Sequence, residues 1–125
     1  MNFLLDTHVF IWAVDDDPKL STAAWSMIEE ADAVYVSSAS IWEAAIKYQL
    51  GRLKVAPNRL LEAVAPSGFL ELSISSRHAA AVAHLPPIHR DPFDRLLLAQ
   101  AISEPLHFLT ADDKLMQYSE LVHQI

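Results

Sequence analysis

Asn2-Phe3-Leu4-Leu5-Asp6-Thr7-His8-Val9-Phe10-Ile11-Trp12-Ala13-Val14 reads as a short strand, an aspartate and then a helix. A continuous apolar run such as Phe3-Leu4-Leu5 suits a strand buried on both faces, as in parallel sheets. Asp6 follows it as a helix start, a place where Asp serves well as N-cap. That junction also matters chemically, because open α/β sheets bind ligands outside the carboxyl ends of their strands.

Working outward, the same alternation continues along the chain. Asp15-Asp16-Asp17-Pro18 closes the first helix as a loop. Ser21 is a suitable N-cap for an amphipathic helix over Thr22–Glu30, with Ala24, Trp25 and Ile28 on its inner side. Val34-Tyr35-Val36-Ser37 predicts a second strand. A helix over Ser40–Leu50 follows, with Ile41, Trp42, Ala45 and Ile46 as its apolar residues and Gly51 at C′. A short helix is expected over Pro57–Ala65, a strand over Phe69–Ile74, and a helix capped by Ser75 or Ser76 and running through Leu85. Pro86-Pro87 breaks it, and Asp91-Pro92 opens a helix to about Ser103. Leu106–Leu109 is a fourth strand, a short helix follows Thr110, and Leu121–Ile125 is a fifth strand. Strands alternating with helices predict one α/β domain over 1–125, a three-layer α/β/α sandwich with a mostly parallel central sheet.

Composition agrees and narrows the function classes. A chain of 125 residues, 52% apolar, is a single packed domain able to bury roughly two-thirds of its unfolded surface. It has no Cys, which excludes disulfides, thiolate zinc sites and cysteine nucleophiles. The apolar start is interrupted by Asp6 and His8 and carries no basic segment, so neither a signal peptide nor a membrane span is expected and the location is read as cytoplasmic. The net charge of −7 opposes nucleic-acid binding through the bulk field. A divalent cation bound among the carboxylates would cancel part of that charge locally.

Four acids sit at predicted element ends: Asp6, Glu43, Asp94 and Asp112. Carboxylates gathered at one point commonly hold a hard divalent cation, Mg²⁺ or Mn²⁺. Each also has an ordinary explanation. Asp6 caps a helix, and Glu43 pairs with Lys47 at i,i+4. Asp91, Pro92 and Asp94 make a favourable helix start at N-cap, N1 and N3. Thr110 and Asp113 read as a capping box, which leaves Asp112 without a capping role and so the better ligand candidate. Glu43 stands out because its neighbours Trp42, Ala44, Ala45 and Ile46 are apolar, and a buried carboxylate requires a partner. Histidines occur at 8, 78, 84, 89, 107 and 123, with no His-Glu-x-x-His pattern to support a zinc hydrolase. His8 and His89 lie near the acidic positions, where packing or capping is the simpler role.

Taken in order, Phe3-Leu4-Leu5-Asp6-Thr7-His8, Ser40-Ile41-Trp42-Glu43 with Lys47 and Leu50-Gly51, His89-Arg90-Asp91-Pro92-Phe93-Asp94-Arg95-Leu96 with Ala99-Gln100-Ala101, and Leu109-Thr110-Ala111-Asp112 resemble the PIN-domain ribonucleases. The likeness is to the VapC-type toxins of bacterial toxin–antitoxin pairs and runs from residue 3 to about 118. It implies an α/β/α fold and metal-dependent endoribonuclease activity. It also implies an acidic quartet of Asp6, Glu43, Asp94 and Asp112, flanking hydroxyls at Thr7 and Thr110, and an added acidic position at Asp91. A homodimer and a cognate antitoxin covering the acidic site are implied by the resemblance as well. Lys47, Arg52, Lys54, Arg90 and Arg95 are the candidate RNA phosphate contacts. Two competing functions are a PIN-fold binding module without catalysis and an aspartyl phosphotransferase using Asp6 as nucleophile. The latter ordinarily needs a second Asp two residues on, where this chain has His8.

Overall fold

The computed structural model describes residues 1–125. Its five strands are β1 (Asn2–Leu5), β2 (Ala33–Ser37), β3 (Leu70–Leu72), β4 (His107–Thr110) and β5 (Val122–Gln124). They form one sheet in the order β3-β2-β1-β4-β5, and every neighbouring pair is parallel. The sheet is thus wholly parallel, where a mostly parallel one was expected. The six helices are α1 (Thr7–Asp15), α2 (Thr22–Glu30), α3 (Ser38–Gln49), α4 (Pro57–Ala63), α5 (Ser76–Ala81) and α6 (Pro92–Ser103).

The alternation of side chains along β1 divides the core in two. Phe3 and Leu5 point to one face, with Val34, Val36 and Leu109, and are covered by Val9, Phe10, Ala24, Ile28 and Leu60. Leu4 points to the other, with Phe108 and Val122, against Leu97, Leu98 and Ala101 of α6. Both faces are therefore apolar, as parallel strands require. From β1 the chain moves to β2 and β3 on one side, and it returns to place β4 on the other. The crevice beyond the carboxyl ends of β1 and β4 is the topological switch point.

Several boundaries differ from expectation for local reasons. α3 begins at Ser38, straight out of β2, because Ser37 is the cap and accepts the Ala39 N–H at 3.0 Å. Ser40, expected to start that helix, lies buried within it. The inward face of α3 is Ala39, Ser40, Glu43 and Ala44, and Trp42, one of the apolar residues read for this helix, is 58% exposed. The helix packs against α1 and α4 on one side and α6 on the other, at the end of the sheet. Small and polar residues fit that close approach, and the larger Trp42 turns out against the edge of Phe93, ring centres 5.0 Å apart. β3 is shorter than expected, and the helix over 76–85 ends as a 3₁₀ turn at Val82–His84. The final strand forms: β5 pairs in parallel with β4.

Candidate metal centre

Asp6 leaves β1 as the cap of α1, its Oδ1 accepting the Thr7 N–H at 2.8 Å and its Oδ2 accepting the Thr110 hydroxyl at 2.7 Å. The Asp6 N–H donates to the Leu109 carbonyl at 2.9 Å, so the ends of β1 and β4 are stitched together under the site. Thr7 donates its hydroxyl to Ser40 Oγ at 2.9 Å, fixing α3 against α1. Asp6 is 6% exposed, and burial raises its pKa despite the two hydrogen bonds.

Glu43 is 5% exposed. Its pairing with Lys47 is real, with Oε2 to Nζ 2.8 Å, but Oε1 is buried with no hydrogen-bond partner. A carboxylate oxygen held this way is costly unless something positive reaches it. Asp91 caps α6, its Oδ1 accepting both the Phe93 N–H at 2.8 Å and the Asp94 N–H at 3.2 Å. That helix start aims Asp94 into the crevice. Burial, then the negative fields of Asp6, Asp91, Glu43 and Asp112, push its pKa up to about 8.

Asp112 proves to be a cap after all. Its Oδ1 accepts the Lys114 N–H at 3.0 Å and starts the 3₁₀ turn over Asp113–Gln117. Thr110, expected as that cap, ends β4 instead, buried; its Oγ1 accepts the Asp112 N–H at 3.0 Å and donates to Asp6. One hydroxyl therefore ties two of the acids. A strand's last residue and a cap look alike in sequence, and only the pairing of β1 with β4 separates them.

Asp6, Glu43, Asp91, Asp94 and Asp112 all line one cleft of about 310 Å³, with His8, Trp12 and Lys47 also on its wall. Ligand atoms of Asp94 and Asp112 lie within 4.8 Å of one another and of a ring nitrogen of His89, which stands behind the lining, while Asp6 and Glu43 lie outside that group and are the more deeply buried acids. Arg52, Lys54 and Arg90 are exposed and do not line the cleft. Arg95 is occupied elsewhere. Its guanidinium donates to the carbonyls of Val82, Leu85, Pro86 and His89, at 3.0 to 3.5 Å, and to the Tyr118 hydroxyl at 3.4 Å. The sequence marks Ser40 only as a helix start and does not single out Tyr118; neither has a local pattern that marks its role at the site.

The residues fit a hard divalent cation. The donors are mainly carboxylate oxygens, Glu43 Oε1 lacks a partner, and burial together with the neighbouring carboxylates raises the Asp94 pKa, so that a cation would displace its proton.

Residues 3–121 match the PIN domain family model. The ribonuclease VapC22 of Mycobacterium tuberculosis is 33% identical over 121 residues, spanning 92% of this chain and 90% of that protein. Among solved structures, VapBC2 of Rickettsia felis bound to a promoter DNA fragment superposes with a TM-score of 0.73 at 16% identity, over 99% of this chain and 98% of that one. DNA-bound VapBC of Salmonella typhimurium gives 0.69 at 18% identity, covering 99% and 98%. A toxin–antitoxin complex of Klebsiella pneumoniae gives 0.66 at 19%, covering 98% of each chain.

Proposed function

The chain belongs to the PIN-domain family, and on that footing we propose that it is a metal-dependent endoribonuclease, the toxin of a toxin–antitoxin pair. The observation that carries the metal-dependent part is Glu43: a buried carboxylate oxygen without a partner, on the wall of a cleft shared with Asp6, Asp94 and Asp112. Asp6, Asp94, Glu43 and Asp112 would hold Mg²⁺ or Mn²⁺, with Asp91 beside them. An ion held there would supply a water of lowered pKa and positive charge for the scissile phosphate.

The chain's own residues do the rest. Thr110 and the Thr7 N–H orient the Asp6 carboxylate, and the helix start at Asp91 orients Asp94. Lys47 faces the cleft from Glu43's side and can meet a phosphate oxygen there. The exposed Arg52, Lys54 and Arg90 would contact the backbone further along the RNA. The site is small, which suits a single-stranded or looped RNA whose bases can be splayed apart.

The antitoxin partner follows from the relatives, whose solved complexes pair toxin with antitoxin. A cleft this acidic suits a basic side chain from such a partner. For the homodimer, the exposed apolar cleft beside the site, about 440 Å³ and lined by Trp42, Ile46, Phe93 and Leu96 among others, offers the surface. The phosphotransferase alternative is less well supported, since the second Asp that such a nucleophile ordinarily needs two residues on is His8 here.

The test is cleavage of an RNA panel by antitoxin-free protein with Mg²⁺ or Mn²⁺, with chelator, and with Asp94→Asn. Metal-dependent cutting that drops at least about 100-fold in the variant is expected. Folded wild type that cuts no RNA would favour the silent binding module, and cutting that survives in Asp94→Asn would place the chemistry elsewhere.

A further inference from the structure

We propose that His89 is a positioning residue behind this cleft, locked as an Nε2–H donor that sets the Asp112 carboxylate and does not itself ligate the cation. The inference rests on reading the cleft as a metal site. On distance alone His89 looks like a third ligand, because its nitrogen falls within 4.8 Å of the carboxylate oxygens of Asp94 and Asp112.

The hydrogen bonds say otherwise. The Asp91 backbone nitrogen lies 3.0 Å from His89 Nδ1. A backbone N–H can only donate, so Nδ1 is the bare, accepting nitrogen and the ring hydrogen is on Nε2. Nε2 lies 3.2 Å from Asp112 Oδ2, to which this hydrogen is donated, with Asp94 Oδ2 beside it at 3.5 Å. Ligation through Nε2 would require moving the hydrogen to Nδ1. There it would confront the Asp91 N–H, and that bond at the start of α6 would be lost.

The ring is also held from behind. The His89 N–H donates to the Tyr118 hydroxyl at 2.6 Å. The Arg95 guanidinium, expected from sequence to meet RNA, braces the segment that carries the ring, reaching the Pro86 carbonyl at 3.0 Å and that of His89 itself at 3.5 Å. With Lys114 N–H on Oδ1 and His89 on Oδ2, both oxygens of Asp112 are oriented before any cation arrives. Donors that hold ligating carboxylates in this way typically change metal affinity 10–100-fold when removed.

The experiment measures Mn²⁺ affinity by calorimetry for wild type, His89→Leu and His89→Gln, alongside long-range ¹H–¹⁵N spectra of the wild-type ring with and without Mg²⁺. Expected are a Kd for Mn²⁺ weakened roughly 10–100-fold in His89→Leu and largely restored in His89→Gln, whose amide N–H reaches the Nε2 position. The ring should show a bare Nδ1 and a protonated Nε2, before and after Mg²⁺. Transfer of the hydrogen to Nδ1 on adding Mg²⁺ would make His89 a ligand and overturn the proposal. So would equal Mn²⁺ affinity in all three proteins, or a Gln variant as weak as Leu. None of these measurements uses RNA. A wild type that binds Mn²⁺ and shows the His89 pattern but cuts no RNA therefore refutes the nuclease reading alone, and one that cuts RNA with affinity indifferent to His89 refutes this inference alone.

Discussion

Asp94 carries the sharpest conflict in the molecule. Its folded pKa is near 8, against an ordinary 3.8, because burial and four neighbouring carboxylates disfavour its charge. The folded chain thus keeps a proton that the unfolded chain releases. The contribution is fully present below about pH 4 and is lost as pH rises through about 8, so metal-free protein should lose stability over that window. Asp94→Asn removes the ionisable group while keeping the shape. In chelator it should flatten this dependence and raise Tm at pH 8 by roughly 5 °C or more, about 1–2 kcal/mol, while destroying the metal site. Thermal melts of both proteins at pH 5 and pH 8 check it; parallel slopes would mean the proton sits elsewhere.

At the scale of elements, Asp6, Asp91, Asp94 and Asp112 are presented by the end of a strand or the start of a helix, and Glu43 from inside α3. Asp6, Asp91 and Asp112 cap the elements that follow them, and Ser37 caps α3 so that Glu43 falls one turn inside. The capping and functional readings of these residues do not compete, since the cap is what aims the side chain. The far end of α3 is closed by a Schellman motif. Arg52 N–H donates to the Lys47 carbonyl at 2.8 Å and Gly51 N–H to the Tyr48 carbonyl at 3.1 Å, with Gly51 at φ +72°. A Cβ at Gly51 would meet nothing within 4 Å, so Gly51→Ala should cost only backbone strain, about 1–2 kcal/mol, and lower Tm by roughly 3–8 °C. A melt in chelator checks this, and an unchanged Tm would mean the helix end relaxes freely.

At the scale of the whole molecule, the switch point between β1 and β4 gathers negative charge that the chain, at −7, does not balance. Folding here gathers carboxylates whose repulsion a proton or a cation would relieve. Saturating Mn²⁺ should therefore raise Tm, and by more at pH 8 than at pH 6, because at pH 6 the ion must first displace the Asp94 proton. Differential scanning fluorimetry at the two pH values tests it. A smaller rise at pH 8 would place the ion away from Asp94. No helix is long and apolar enough to cross a membrane.

The sequence by itself determined the order of strands and helices, because Leu4, Leu5, Phe108 and Leu109 make runs that are apolar towards both faces and five of the six helices follow a Ser or Asp suited to cap them. It also marked Asp6, Glu43, Asp94 and Asp112, since acids beside apolar runs are costly unless they are used. What it could not decide was which of two chemically equivalent jobs a residue takes. Thr110 as strand end and not cap, Trp42 outside and Glu43 inside, and Arg95 as brace for the His89 segment all depend on contacts between residues far apart in the chain. Periodicity and capping are local forces, legible along a strand or a turn. The meeting of β1 with β4, and of α3 with α6 across the cleft, is set by burial of the whole core, and only tertiary structure displays it.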